Sequence, residues 1–214
     1  MKSFNRSISL ACVSMLSVFT LLGCSQSVTT NPKNEVSPLR ATFAIDVNNV
    51  NEVVGDADNV FVGYVEKLEG TEYKHPVTVE TENGTKEVSS PYTNYSITVI
   101  DNIKGNLKKN EPIPIQKSGG ISEDQDVYFL YEGDSLPVEG KYYIFNTYNQ
   151  PDGSILVSGP NSNIELDKLV SGPKPLTTNS KSEIVNSGEY EKYAEAVENE
   201  VKSDRQRFES NYTE

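Results

Sequence analysis

The sequence predicts a mainly β protein, a small barrel or sandwich of short strands with a short helix before it and an amphipathic helix after it. Three observations lead there. Runs rich in Val, Ile, Tyr and Phe recur between residues 60 and 157, each bounded by Gly, Pro, Asn or Asp. Twelve tyrosines and seven phenylalanines supply large apolar faces although hydrophobic residues make up only 36% of the 214-residue chain. Sustained helical periodicity appears only near the end, where Tyr190, Tyr193, Val197 and Val201 are spaced three, four and four apart.

Taken in order, Thr42-Phe43-Ala44-Ile45 reads as a first strand. Asn49 to Gly55 reads as a short helix, with Val50, Val53 and Val54 on one side and Gly55 as its stop. Val60 to Leu68 is apolar on both faces in its first half, as a buried central strand requires. The polar stretch from Glu69 to Pro91 is either a long loop or a protruding hairpin turning at Asn83-Gly84. Tyr95 to Ile103 alternates, with Tyr95, Ile97 and Val99 on one face and Ser96 and Thr98 on the other. Ile113 to Gln116 is flanked and interrupted by Pro112 and Pro114, which suits an edge strand. Val127–Tyr131 and Tyr142–Tyr148 are aromatic-rich strands. The turn signal Asn149-Gln150-Pro151-Asp152-Gly153 leads into Ile155-Leu156-Val157. Ser171 to Ser187 has linker composition, and Glu189 to Phe208 is expected to be the long helix.

The N-terminus sets the address. Lys2 and Arg6 precede an apolar run from Ile8 to Leu22, and Leu21-Leu22-Gly23-Cys24 closes it. This is the tripartite pattern of an export signal. The Gly-Cys pair resembles the lipobox of bacterial lipoproteins, which implies cleavage between Gly23 and Cys24 and acylation (palmitate among the acyl chains) of the Cys24 thiol. Residues 24–40, rich in Ser, Thr, Asn and Pro, then read as a flexible tether. The expected domains are a signal peptide at 1–23, the tether at 24–40, a β-barrel domain at 41–168, a linker at 169–187 and a C-terminal helix at 188–210.

Charge and cysteines narrow the chemistry. Loss of residues 1–23 removes two basic and no acidic side chains, leaving 191 residues with 17 basic against 31 acidic groups, a net charge of −14. Nucleic acid and anionic lipid headgroups would be repelled, so membrane attachment falls to acyl chains. Cys12 goes with the signal and Cys24 takes lipid, so the mature domain is left without disulfide, thiolate nucleophile or cysteine metal ligand. His75, the only histidine, lies in polar sequence and reads as solvated. No phosphate-cradling glycine motif occurs. The acidic segments Ser122–Asp126 and Asp56–Asn59 are weak calcium candidates, through Glu123, Asp124 and Asp126 above all. Neither has the spacing of a calcium-binding loop, and solvated acidic turns are the plainer reading.

Three stretches carry a family resemblance: Asp56-Ala57-Asp58-Asn59-Val60-Phe61-Val62-Gly63-Tyr64-Val65, Tyr95-Ser96-Ile97-Thr98-Val99-Ile100-Asp101-Asn102-Ile103-Lys104-Gly105, and Gly140-Lys141-Tyr142-Tyr143-Ile144-Phe145. Their succession resembles small exported bacterial domains similar to the OB-like barrel of tissue inhibitors of metalloproteinases and netrin-like domains. The resemblance implies a five- to seven-stranded OB-like barrel over residues 41–167. Those inhibitors chelate zinc through a free N-terminal cysteine. Here that position is lipidated, so the fold carries over and the inhibitory chemistry does not. The combined expectation is a lipid-anchored, extracytoplasmic envelope protein with no catalytic residue and no cofactor, binding a partner through a barrel face or the C-terminal helix. A calcium-dependent envelope hydrolase using the acidic loops is the alternative.

Overall fold

The computed structural model describes residues 35–82, 84–166 and 178–214. The signal peptide, its cleavage site at Gly23-Cys24, Cys12, residues 25–34, Asn83 and residues 167–177 lie outside the described residues.

The chain is mainly β. In order come β1 (Glu35–Leu39), α1 (Val50–Asp56), β2 (Asn59–Thr81), β3 (Gly84–Lys104), β4 (Pro112–Ser118), β5 (Gly120–Ile121), β6 (Val127–Tyr131), β7 (Tyr142–Asn149), β8 (Ile155–Val157), β9 (Asn163–Glu165), α2 (Thr178–Val185) and α3 (Gly188–Glu198). A six-stranded sheet has the order β2-β3-β4-β8-β7-β9, and β7 also pairs with β2. Pairing therefore runs through five strands and returns to the first. Every link in that circuit is antiparallel except β4–β8, which is parallel. A second sheet has the order β1-β6-β5.

Two apolar clusters use opposite faces of the same strands. Phe61, Val65, Tyr95, Ile97, Val99, Ile113, Ile115, Tyr143, Phe145, Ile155 and Val157 pack together on one side, drawn from all five strands of the circuit. Val60, Val62, Tyr64, Tyr142 and Ile144 point the other way and meet Val54, Ile184, Tyr193 and Ala196 from the three helices. This explains why β2 reads as continuously apolar at its start: both faces are covered. Gly63 is where the first cluster closes up. A Cβ there would lie 2.7 Å from Ile97 and 2.9 Å from Phe145, so no side chain fits.

Several expectations change. Thr42–Ile45 is not a strand; the first strand lies earlier, at Glu35–Leu39, inside the stretch read as tether. Among the described residues it pairs only with β6, in parallel, and an edge position with one neighbour tolerates Pro38. α1 begins as expected with Asn49 as N-cap, its side chain accepting from the Asn51 N–H, but Gly55 lies within the helix and Ala57 caps it. The Glu69–Pro91 stretch is a hairpin, with Thr81 opposite Gly84. β4 is not an edge strand. It pairs with β3 along Pro112–Lys117 and with β8 at Gln116 and Lys117, its prolines falling where it has only β3 beside it.

The linker reading fails from residue 178, because α2 forms there and Ile184 is fully buried. The last helix is half the expected length. α3 starts at the Ser187 N-cap, ends at Glu198, and packs Tyr193 and Ala196 into the helix-side core. Val201, on the same predicted stripe, is 54% exposed because the chain has left helical geometry by then. Among the described residues, no helix is long and apolar enough to cross a membrane.

Residues 199–214 form an extended strap instead. The Val201 N–H donates to the Asn51 carbonyl at 3.0 Å. Arg207 donates to the carbonyls of Gly55 and Ala57 at 2.6 and 3.0 Å, and Arg205 to that of Asp56 at 2.7 Å, capping the C-terminal end of α1 with cations. Both guanidinia pair with Asp58, at 2.6 and 3.0 Å. The Asp56–Asn59 segment is thus no solvated acidic turn; it is the anchor of the strap. Further on, the Asn211 N–H donates to Gly153 and that of Glu214 to Asn106, so the strap ends across the β7–β8 turn and the β3–β4 connection.

Candidate functional site

The parallel β4–β8 contact is only two residues long, and this produces an opening. Pro112 and Pro114 remove two N–H donors from β4 just before the contact, and the strands separate there. The seam is a groove of about 250 Å³. Its floor is Tyr95, Ile115 and Ile155, three members of the five-strand core, with Tyr212 of the strap packed beside them. Its rim is polar: Glu69 and Lys74 from β2, Asn94 from β3, Gln116 from β4, and Asp152 and Ser154 from the β7–β8 turn.

These rim groups are ordered by a cross-strand ladder. Register places Asn94 opposite Gln116, and the Gln116 Nε2 donates to the Asn94 side chain at 2.7 Å and to Glu72 at 3.1 Å. Lys74 Nζ donates to the Gln116 Oε1 at 3.0 Å and pairs with Glu72 at 3.3 Å. The hydrogen bond from Lys74 holds the exposed Glu72 carboxyl below the usual carboxylate range. Asp152 is likewise held low, by hydrogen bonds from Ser154. Asn211 fixes this turn by donating to the Asp152 carbonyl at 2.9 Å. Under the rim, the Tyr95 hydroxyl is buried without a hydrogen-bond partner among the described residues, and burial pushes its pKa well up. The groove thus offers alternating donors and acceptors over an apolar, partly aromatic floor.

One step along β4 from the groove is a group that composition and pattern did not flag. Lys117 is fully buried, with its Nζ 2.6 Å from Asp134, 2.9 Å from Ser162 Oγ and 3.5 Å from the Gly159 carbonyl. Burial pulls the amine down to about 8 and pushes the Asp134 carboxyl up, each towards its neutral form. The alternation of β4 was the available signal: Ile113, Ile115 and Lys117 share a face, so a lysine stands in an apolar series.

The other sequence candidates do not converge. In the 122–126 turn, Ser122 Oγ donates to Asp124 at 2.5 Å and accepts from the N–H groups of Asp126 and Val127, so these residues build a turn. Among the described residues, no group of three or more His, Cys, Asp or Glu side chains is placed to hold a metal ion. Glu123 and Asp124 instead line a larger, separate cavity of about 460 Å³ with Lys86–Ser89, Val127 and Phe129. His75 is exposed at a bulge beside Pro76, its ring 6.0 Å from that of Tyr92. Cys24 lies outside the described residues. No protein-family model and no curated protein matches the chain.

Proposed function

We propose that this chain is a lipid-anchored binding module on the extracytoplasmic face of a bacterial membrane, built on an OB-like barrel, with the β4–β8 groove as its ligand site. The barrel reading is supported by the five-strand pairing circuit with its single parallel link, and by the one apolar cluster to which every strand of the circuit contributes. The anchor reading is supported by Leu21-Leu22-Gly23-Cys24 and by a negative charge that leaves acyl chains as the attachment.

The groove carries the functional part. OB-type barrels take oligonucleotides or oligosaccharides against this part of the surface, and a net charge of −14 after loss of the signal disfavours the first. Amides, carboxylates and one lysine around an apolar floor complement a ligand with hydroxyl edges and C–H faces. The ligand class is therefore a short neutral polysaccharide of the envelope. We read the module as one that binds without cleaving: Asp152 on the rim and Glu72 beside it are held low, whereas a glycosidase needs a carboxyl raised to act as the acid.

Calorimetric titration with soluble fragments of envelope polysaccharide tests this. Lys74→Ala with Asp152→Ala removes one half-buried and one exposed rim group and leaves the core residues in place. The pair of changes should weaken binding at least about tenfold, near 1.4 kcal/mol, with the β signal and a cooperative unfolding transition retained. Equal affinity in wild type and variant would overturn the assignment of the groove.

A further inference from the structure

We propose that Lys117 and Asp134 become joined by an intramolecular isopeptide bond that forms without an enzyme once the chain has folded. The inference rests on the burial and contacts of these two side chains and stands apart from the ligand-binding reading. An amine and a carboxyl 2.6 Å apart, with side chains 0% and 2% exposed, are held together where water does not compete. Intramolecular pairs held in a reactive orientation can reach effective concentrations of roughly 100,000 M or more.

The surroundings supply what condensation needs. Burial favours the neutral amine and the neutral carboxylic acid, which are the reacting forms. The Ser135 N–H donates to Asp134 Oδ1 at 2.8 Å, so it polarises the carbonyl and stabilises negative charge developing on that oxygen. Asp134 Oδ2, the oxygen facing Lys117, is the one that departs. Ser162 Oγ accepts from Nζ at 2.9 Å while donating to the Gly159 carbonyl at 2.5 Å, which orients the amine, and the proton that Nζ loses passes directly to Oδ2, 2.6 Å away.

The step balances as written. The Nζ lone pair attacks Cγ and a C–N bond forms; the Cγ–Oδ2 bond breaks, and Oδ2 leaves with its own proton and one from Nζ as a water molecule. No oxidant, reductant or cofactor takes part. The link would staple β4 to the segment between β6 and β7, in a domain whose sequence leaves it no disulfide after acylation of Cys24.

The test uses the full chain, purified from membranes, denatured and digested with trypsin. An unlinked chain gives peptides 110–117 and 118–141 at their full masses, because no Lys or Arg lies between Lys117 and Lys141. The linked chain gives a single peptide 110–141, uncut after Lys117 and lighter by one water. Cleavage of that product at its glutamates should release a branched pair joined through Lys117 and Asp134. Lys117→Arg should restore full-mass peptides; a water-loss product persisting in that variant would overturn the assignment. Free, full-mass 110–117 and 118–141 from the wild-type chain would also overturn it and leave Lys117 and Asp134 as an ion pair.

Discussion

Gly55→Ala should destabilise the protein by about 2–4 kcal/mol, although the same change in an exposed helix stabilises by about 1 kcal/mol. Gly55 lies inside α1, and the strap crosses directly over it. A Cβ built there would lie 2.0 Å from the Val201 carbonyl oxygen and 2.4 Å from its carbon. Both are backbone atoms, so no rotamer relieves the clash, and the strap must move away by more than about 1 Å to reach ordinary contact. That displacement breaks the 3.0 Å bond from the Val201 N–H to Asn51 and the Ser203–Asp56 hydrogen bond, each contributing about 1 kcal/mol. It also loosens the Arg205 and Arg207 contacts to the end of α1. Adding overpacking strain of about 1–3 kcal/mol and subtracting the helix-propensity gain leaves the stated cost. Urea unfolding followed by circular dichroism measures it, and the melting temperature should fall by roughly 4–16 °C. An unchanged or raised midpoint would refute the claim that the strap is seated on α1.

Two further predictions concern titration and the anchor. Burial pushes Tyr142, Tyr190 and Tyr193 up to about 12 and raises Tyr95 and Tyr148 further. The folded state therefore holds these protons more tightly than the unfolded state does. Stability should be intact below about pH 10 and lost as the pH climbs towards 12, with tyrosinate absorbance appearing together with loss of the β signal; a gradual titration near pH 10 with the fold intact would contradict it. Cys24→Ala should move the protein from the membrane fraction to the soluble one and abolish labelled-palmitate incorporation; retention in membranes with no label in wild type would contradict the anchor.

What was legible in the sequence follows from where each signal is stored. Period-two alternation and turn chemistry are local, so β3, β6, β7, β8 and the Asn149–Gly153 turn were readable. The hairpin was one of two open readings, since Glu69–Pro91 is exposed on most of its length and has no burial pattern to display. β1 escaped because a five-residue parallel edge strand with a proline at its fourth position has the composition of a linker. The C-terminal helix was overextended because Val201 continues the stripe, while its backbone is captured by Asn51, far away in sequence. Asp56 and Asp58 looked solvated for the same reason: their arginines arrive 147 or more residues later in the chain. Of the groove, only the Asp152 turn was marked by a local motif. The rest is a juxtaposition of five segments set by the β4–β8 register, and register between distant strands leaves no trace in one sequence.

The most direct measurement is residue-by-residue mapping of amide chemical shifts as soluble envelope polysaccharide is added to the isotope-labelled chain. A groove that holds this ligand predicts saturable shifts centred on Asn94, Gln116, Asp152, Ser154 and Tyr212, with the cavity at Lys86–Ser89 silent. Shifts confined to that cavity, or no saturable shift at any ligand concentration, would contradict the assignment of the β4–β8 seam as the binding site.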